Sequence, residues 1–318
     1  MNKTKVLVTG GTGYVGGRLI QHLSLRDDIE LIVTSRSSEG ELTWLPSVHT
    51  TFVDWSSAEN LLALCHGVDK IIHLSAMNEI DCAIDPVAAL IANGVNTVRL
   101  LEAAKKSSVQ RFVYLSSAHV YGEPLTGVIT EATMPRPMHP YATSHRAAED
   151  VVLALTGRMA GVVIRLSNGF GVPAMSDVNR WTLLSNDLCN QVAIDSRMVL
   201  KTAGCQYRDF ITLYDVVRAT AHLLELPISE LGNRIFNVGS GESLQVFEFA
   251  KLVQRRCKAI FGYTPEIIRP APRGVEVQNE LDFSIAKLVA SGFQLSGSFS
   301  NEIDETLRMC LKMKENSQ

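Results

Sequence analysis

Residues 5–16 of this chain read Lys5-Val6-Leu7-Val8-Thr9-Gly10-Gly11-Thr12-Gly13-Tyr14-Val15-Gly16, and this stretch decides the fold. Its first half is a short β-branched run typical of a buried strand, and a helical pattern of apolar residues follows the glycines. Glycines between a strand and a helix permit a tight turn and let backbone N–H groups at the helix N-terminus approach a pyrophosphate. The stretch therefore predicts a dinucleotide site formed by Gly10, Gly13, Tyr14, Val15 and Gly16.

The alternation of strand and helix continues well beyond this turn. Apolar runs at residues 31–33, 51–53, 70–74, 111–115 and 162–166 are separated by helical patterns, and a later run at 235–238 is expected to return to the same sheet. These runs are continuously apolar, which indicates a parallel sheet covered by helices on both faces. The predicted fold class is α/β, a doubly wound parallel sheet of the Rossmann type with a smaller C-terminal substrate region.

The regular alternation stops after Asn168, where glycine and proline become frequent and a helix predicted over 181–192 has no partner strand. We expect a dinucleotide-binding domain over residues 1–167, with a returning segment near 211–241, and a mainly substrate-binding region over 168–318. The second region is expected to fold over the edge of the sheet without a clean linker.

Composition and charge exclude several classes of function. The 318 residues are 46% hydrophobic and 20% charged, which is typical of a soluble globular protein. A net charge of −3 without blocks of like charge argues against nucleic-acid binding, and no apolar run approaches the roughly 20 residues of a membrane span. Six scattered cysteines, and a first strand that leaves no room for a targeting peptide, predict a cytoplasmic protein with reduced thiols and no metal centre.

The ends of the second and third strands bear on the choice of cofactor. An acid after the second strand would hold the ribose 2′-hydroxyl of NAD, but this chain has Thr34-Ser35-Arg36. Arg36 is suited to a 2′-phosphate, so NADP or NAD is predicted with NADP favoured, the alternative being a solvated loop charge. Asp54 is expected to accept a hydrogen bond from the adenine amino group, the alternative being a cap for a helix that begins near Ser56.

Further motifs, in order along nearly the whole chain, are similar to those of one known family. They are Thr9-Gly10-Gly11-Thr12-Gly13-Tyr14-Val15-Gly16, His73-Leu74-Ser75-Ala76, Asn93-Gly94-Val95-Asn96-Thr97, Leu115-Ser116-Ser117-Ala118-His119-Val120-Tyr121-Gly122, Arg165-Leu166-Ser167-Asn168, Arg208-Asp209-Phe210 and Asn237-Val238-Gly239-Ser240-Gly241. By these motifs the chain resembles the extended short-chain dehydrogenases/reductases of the nucleotide-sugar epimerase/dehydratase group. The resemblance implies that Leu74, Ser75, Ala76 and Asn93 line the cofactor, and a homodimer is expected.

The resemblance also implies which groups react. Ser117 matches the family serine that hydrogen-bonds the substrate oxygen, and Tyr141 in Tyr141-Ala142-Thr143-Ser144-His145 matches the tyrosine that moves its proton. The alternatives are a strand-end serine and a packed aromatic residue. In the family, a lysine one helical turn later stabilises the tyrosinate and binds the nicotinamide ribose, and here His145 takes its place. Histidine is mostly neutral at pH 7, so His145 is either a working substitute or a structural residue.

Substrate contacts follow from the same resemblance. Family dehydratases carry adjacent Asp and Glu after the catalytic serine or threonine, whereas this chain has Ala118-His119, so dehydration is disfavoured. Arg208 is expected to clamp a diphosphate and Arg273 is a second candidate, each with the alternative of an ordinary surface charge. The predicted substrate-binding residues are Ser117, Ala118, His119, Asn168, Arg208 and Arg273.

The expected function is NAD(P)-dependent epimerisation of a nucleotide-activated sugar through a transient keto intermediate. An NADP-dependent reductase or dehydrogenase of the same substrates is the alternative among enzymes. The missing lysine leaves a third possibility open, a catalytically weak, cofactor-bound protein that acts by interaction.

Overall fold

The computed structural model describes residues 3–36, 40–271 and 280–316. Its strands are β1 (Thr4–Thr9), β2 (Ile29–Ser35), β3 (Gly40–Leu42), β4 (Leu45–Phe52), β5 (Lys70–His73), β6 (Arg111–Ser117), β7 (Gly127–Ile129), β8 (Ala160–Leu166), β9 (Asn168–Phe170), β10 (Arg197–Val199), β11 (Tyr207–Thr212), β12 (Ile235–Val238), β13 (Ser243–Gln245), β14 (Glu266–Ile268) and β15 (Leu281–Phe283). Eight of these strands form the central sheet, in the order β12-β8-β6-β5-β1-β2-β4-β3.

The central sheet is parallel except at one edge, where β3 runs antiparallel to β4. β1 lies in the middle and pairs with β2 on one side and with β5 on the other. The sheet thus extends from β1 on one side through β2, β4 and β3, and on the other side through β5, β6, β8 and β12. In open α/β sheets this switch point opens a crevice at the carboxyl ends of the strands, which is where ligands bind. The predicted doubly wound parallel sheet is confirmed.

Helices cover both faces of this sheet. They are α1 (Tyr14–Leu23), α2 (Ala58–Cys65), α3 (Glu79–Ile84), α4 (Pro86–Ala89), α5 (Asn96–Lys105), α6 (Pro140–Leu153), α7 (Leu184–Asp195), α8 (Leu213–Glu225), α9 (Val246–Phe261), α10 (Ala286–Ala290) and α11 (Phe299–Glu315). α1 and α8 pack together on one face, whereas α2, α5 and α6 pack on the other. A π-helical turn, Leu90–Val95, joins α4 to α5 in one continuous helix.

The later part of the chain has an apolar core of its own. Phe210 stacks on Phe249 with ring centroids 4.2 Å apart, and Phe170 meets Phe249 edge-on at 5.2 Å. Residues of α7, α9 and α11 close around these rings. The late strand β12, however, pairs with β8 and so belongs to the central sheet. The chain thus crosses between the two cores, and the division at residue 167 stays a prediction.

Two elements differ from those predicted. The third strand begins at Leu45, earlier than residue 51, and forms a hairpin with β3. The pattern of this strand, next to the edge strand β3, alternates buried and exposed residues and was not recognised in full, because only one face of the strand is buried. The helix expected over 181–192 begins at Leu184, since residues 180–183 form a turn with backbone hydrogen bonds of its own.

Two kinds of feature are absent from the described residues. None of the helices in these ranges combines the length and the apolar character that crossing a membrane requires. The same ranges hold no group of three or more His, Cys, Asp or Glu side chains suited to a metal ion.

Candidate active site

The glycine turn between β1 and α1 forms a cradle at the switch point of the sheet. Gly10 has φ +69°, and a Cβ there would lie 2.8 Å from the backbone nitrogen of Ser75. A Cβ on Gly16 would lie 2.0 Å from the carbonyl oxygen of Gly10. The turn is closed by a 3.0 Å hydrogen bond from the Gly13 N–H to the same carbonyl. Glycine is therefore the only residue that lets the end of β1, the segment after β5 and the start of α1 approach so closely.

The N-terminus of α1 is suited to an anion. The helix begins at Tyr14, has no acidic residue in its first turn, and lacks a side-chain cap. Its first N–H groups have no partner inside the helix, and the helix dipole adds positive potential. The Tyr14 side chain is used elsewhere, because its hydroxyl donates to the Gly171 carbonyl at 2.7 Å and contacts Asn186. Any cofactor contact of Tyr14 would therefore come from its backbone.

The segment after β5 runs past the glycine turn, as expected for residues that line a cofactor. Leu74 and Ser75 are half-buried and Ala76 is exposed. The neighbouring Asn93 is fully buried, and its side-chain amide is occupied by protein contacts. Its oxygen accepts from the Met77 N–H at 2.7 Å, and its nitrogen donates to the Ser144 hydroxyl at 2.9 Å. Asn93 therefore braces this segment against α6.

Arg36 and Asp54 follow neighbouring strands at one edge of the site. Arg36 is exposed directly after β2, and Asp54 comes shortly after β4, which pairs with β2. The Asp54 carboxylate accepts from the Ser56 N–H and hydroxyl, and these hydrogen bonds lower its pKa. The cap of α2 is Ser57, so the alternative of a helix cap at Asp54 is not what the structure contains. A carboxylate thus lies at the same sheet edge as Arg36.

Ser117 and Tyr141 are brought together by the end of β6 and the start of α6. His139 caps α6 by accepting from the Tyr141 N–H at 3.1 Å, and Pro140 occupies the first helical position. The phenol then faces Ser117. Burial raises the pKa of Tyr141 well above its usual value, and a hydrogen-bonding interaction with Ser117 opposes part of that rise. The structure therefore brings the side chains of the predicted serine and tyrosine together.

His145 lies one helical turn after Tyr141, and the two rings are 4.4 Å apart in an edge-to-face arrangement. Its Nδ1 is 2.7 Å from the hydroxyl of Tyr114, whereas its buried Nε2 has no hydrogen-bond partner among the described residues. Burial lowers the pKa of His145 to about 3, with smaller contributions from His73 and His119. The imidazole is therefore neutral near pH 7, and a cationic His145 that imitates lysine does not fit this pocket.

Next to Tyr141 the structure has Ala118 and His119, where the family resemblance puts the acids of dehydratases. Ala118 is buried, and the half-buried His119 meets Tyr141 edge-on with ring centroids 6.2 Å apart. Burial lowers the pKa of His119, with Glu123 and Glu79 acting in the opposite direction. His119 is therefore also neutral near pH 7, and it contacts the ring of the proposed proton-transfer residue.

The predicted substrate residues of the C-terminal region lie on two paired strands. Asn168 on β9 donates to the Asp209 carbonyl at 2.8 Å, and Arg208 is half-buried on the adjacent β11. Among the described residues, the Arg208 side chain has no hydrogen bond or ion pair, and burial lowers its pKa while Glu123 raises it. A half-buried cation without a protein partner is suited to an anionic ligand. Arg273 lies outside the described residues.

The sequence did not single out two features that the structure adds. Tyr114 contacts His145 from β6, and Glu79 on α3 forms a 3.1 Å ion pair with Arg180 near Tyr141. A tyrosine in a buried strand has a hydroxyl that normally needs a hydrogen-bond partner, so the sequence could have indicated Tyr114. The Glu79–Arg180 ion pair joins residues far apart in the chain, and no feature of the sequence indicates it.

Known proteins resemble this chain over most of its length. The model of the NAD dependent epimerase/dehydratase family matches residues 6–239. A UDP-glucose 4-epimerase from Streptomyces lividans is 30% identical over 293 residues, which cover 84% of each chain. The UDP-glucose 4-epimerase of Thermotoga maritima, solved with UDP-glucose, superposes with a TM-score of 0.82 at 22% identity, covering 99% of this chain and 100% of its own. RMD from Pseudomonas aeruginosa, solved with NADPH, superposes with a TM-score of 0.77 at 23% identity, covering 98% and 100%.

Proposed function

This chain is an enzyme of the NAD dependent epimerase/dehydratase family, and we propose that it epimerises a UDP-sugar at C4 through a transient keto intermediate. One observation carries the proposal: Ser117 at the carboxyl end of β6 interacts with Tyr141 at the start of α6, and β6 pairs with β5 beside the switch point of the sheet. The choice of UDP and of C4 rests on the relatives named above.

The residues present fit a nicotinamide dinucleotide. The glycine turn leaves room for a pyrophosphate, and the first turn of α1 offers N–H groups without a competing acid. At the other end of the crevice, the buried Nε2 of His145 has no partner among the described residues, although buried polar atoms are normally paired. Such an atom beside Tyr141 is consistent with a ligand that supplies the missing partner.

The proposed reaction needs a proton and a hydride to leave one carbinol and then return. A bound nicotinamide cofactor supplies the hydride acceptor and donor. Tyr141, acting as tyrosinate, takes the proton of the C4 hydroxyl, while Ser117 donates a hydrogen bond to the same oxygen. After the keto sugar has turned its opposite face toward the site, Tyr141 returns the proton to the oxygen at C4. Arg208 holds the diphosphate meanwhile.

Elimination of water is excluded from this proposal. A dehydratase requires an acid and a base beside the sugar in addition to the tyrosine. Here the corresponding residues are Ala118, which has no titratable group, and His119, which is neutral near pH 7. The pocket therefore favours redox chemistry that returns the substrate to the alcohol level.

For the cofactor we propose NADP with NAD as the alternative, because Arg36 is exposed directly after β2. The carboxylate of Asp54 at the same sheet edge limits this preference, since it would repel a 2′-phosphate. An NADP-dependent reductase of a nucleotide sugar is the second candidate function, and Arg36 is also the observation that favours it.

A homodimer is part of the proposal. Apolar side chains with fractional exposures of 39–67% follow one another along the continuous helix that contains α4 and α5. Their spacing of three or four residues places them on one face. An exposed apolar stripe of this kind is typical of a helix that packs against a partner. The stripe consists of Val87, Ile91, Val95 and Val98.

The proposal is tested by incubating the purified protein with NAD, NADP or NADPH and a panel of UDP-hexoses and UDP-pentoses, followed by chromatographic separation of C4 epimers. Formation of the C4 epimer of at least one UDP-sugar, abolished in Tyr141→Phe, is expected. A net loss of NADPH with formation of a reduced sugar would establish the reductase instead.

A further inference from the structure

A hydrogen bond between Tyr114 and His145 lies beneath the proposed reacting groups. The hydroxyl of Tyr114 is 2.7 Å from Nδ1 of His145 across 31 positions of sequence. Tyr114 is 1% exposed and His145 is 2% exposed, so water does not compete for this bond. Within the described residues it is the one hydrogen bond that the Tyr114 side chain makes. The pair joins β6 to the helix that carries Tyr141.

Proton counting fixes the direction of this bond. A phenol carries one proton and a neutral imidazole carries one, but only one proton fits between Oη and Nδ1. If Nδ1 donated, the phenol proton would have no acceptor and Nε2 would have no donor. If Tyr114 donates, Nε2–H is the single unsatisfied group. Because each buried unsatisfied group is costly, the second arrangement is favoured.

Both partners have the protonation states that this arrangement requires. Burial raises the pKa of Tyr114 well above its usual value, so the phenol keeps its proton. Burial lowers the pKa of His145 to about 3, so the imidazole stays neutral. With both protonation states set, only the tautomer of His145 is still open, and the hydrogen bond from Tyr114 determines it.

We propose that Tyr114 is a positioning residue: its hydroxyl donates to Nδ1 of His145 and so holds Nε2–H as a donor toward an acceptor oxygen of the cofactor bound beside Tyr141. The two ring nitrogens lie on different edges of the imidazole, so Nε2 is directed away from Tyr114 and β6. The Tyr141 ring is the nearest aromatic neighbour of His145, with centroids 4.4 Å apart. The neutral, oriented N–H of His145 thereby replaces the flexible ammonium group of the family's lysine.

This inference rests on the proposed function only for the identity of the ligand. The tautomer is a property of the cofactor-free protein, which contains the complete Tyr114–His145 bond. An inactive protein with Nε2–H would therefore contradict the proposed epimerase and leave the positioning role intact. An active protein with Nδ1–H would support the proposed epimerase and contradict the positioning role of Tyr114.

The experiment is a long-range proton–nitrogen correlation spectrum of the cofactor-free protein labelled with ¹⁵N-histidine. Comparison with His145→Gln identifies the signals of His145 among the eight histidines. We expect Nε2 to carry the proton and Nδ1 to accept a hydrogen bond. A proton on Nδ1 in the wild-type protein overturns the proposal, and this result requires no variant of Tyr114.

Tyr114→Phe then tests causation. Without the donor, His145 is expected to become a mixture of tautomers, and the affinity for the cofactor should fall about tenfold, the usual value of one hydrogen bond. The matched control is Tyr121→Phe, which removes another buried phenol that donates to Asn237 at 2.6 Å, and it should leave the His145 tautomer unchanged. An unchanged Nε2–H tautomer in folded Tyr114→Phe would show that Tyr114 does not position His145.

Discussion

The rings of Tyr141 and His145 meet edge-to-face with centroids 4.4 Å apart, one turn apart on α6. A neutral aromatic ring thus lies where the related enzymes are expected to place a cation. The contact buries the phenol without supplying charge, so the pKa of Tyr141 rises.

Tyr141→Phe should leave cofactor binding intact and reduce turnover by about 10²–10⁴-fold, because it removes the group that moves the proton. Turnover and cofactor affinity are measured in parallel. Thr143→Ala, an exposed change on the same helix, is the control. Turnover that is unchanged in Tyr141→Phe would refute the assigned role.

The rate should rise with pH through the alkaline range. Tyr141 is protonated at neutral pH because burial raises its pKa, and the reaction uses the tyrosinate. His145 titrates far below this range, at a pKa of about 3, and adds no second limb near pH 7. His145→Lys should shift the rising limb to lower pH, since a cation stabilises tyrosinate. Identical profiles for wild type, His145→Lys and His145→Ala would show that His145 has no part in the chemistry.

Arg36→Ala should weaken NADP binding about tenfold and leave NAD binding unchanged, because only NADP carries the 2′-phosphate that a guanidinium pairs with. Isothermal titration of both cofactors measures this difference. The companion variant Asp54→Asn should strengthen NADP binding by removing a nearby negative charge. NAD affinity above NADP affinity in wild type, unaffected by Arg36→Ala, would contradict the preference.

Glu149→Gln should destabilise the fold by about 3–5 kcal/mol, because it leaves a buried guanidinium without its counter-charge. Arg165 and Glu149 are 1% and 0% exposed, and they bind each other at 2.6 Å between α6 and β8. Urea unfolding measures the change. The matched control is Glu248→Gln, which breaks an exposed pair with Lys251 and should cost less than about 1 kcal/mol. Equal midpoints for the two variants would contradict this account.

The sequence predicted those parts of the molecule that depend on local patterns. The turn at Gly10 and the pairing of Ser117 with Tyr141 follow from motifs in which each residue has a defined structural task. The continuous apolar strands likewise predicted the parallel sheet. The hairpin of β3 and β4 was missed because its residues are mostly polar and only one face is covered.

Contacts between distant residues could not be predicted in this way. The bond between Tyr114 and His145 depends on how α6 packs on β6, and no spacing in the sequence encodes that geometry. Asn93 shows the same limit, since its amide is occupied by Met77 and Ser144. The predicted cofactor contacts of Asn93 and Tyr14, the cytoplasmic location and the homodimer stay predictions.

The central claim is that the hydrogen removed from C4 returns to C4 of the same sugar molecule, and one isotope measurement tests it most directly. A UDP-sugar carrying deuterium at C4 is mixed with an unlabelled UDP-sugar of different mass, and the products are analysed by mass spectrometry. The account predicts a C4 epimer that retains its own deuterium, with no transfer to the second sugar and no net change in nicotinamide absorbance. Loss of deuterium from the sugar with net consumption or formation of reduced cofactor would contradict it.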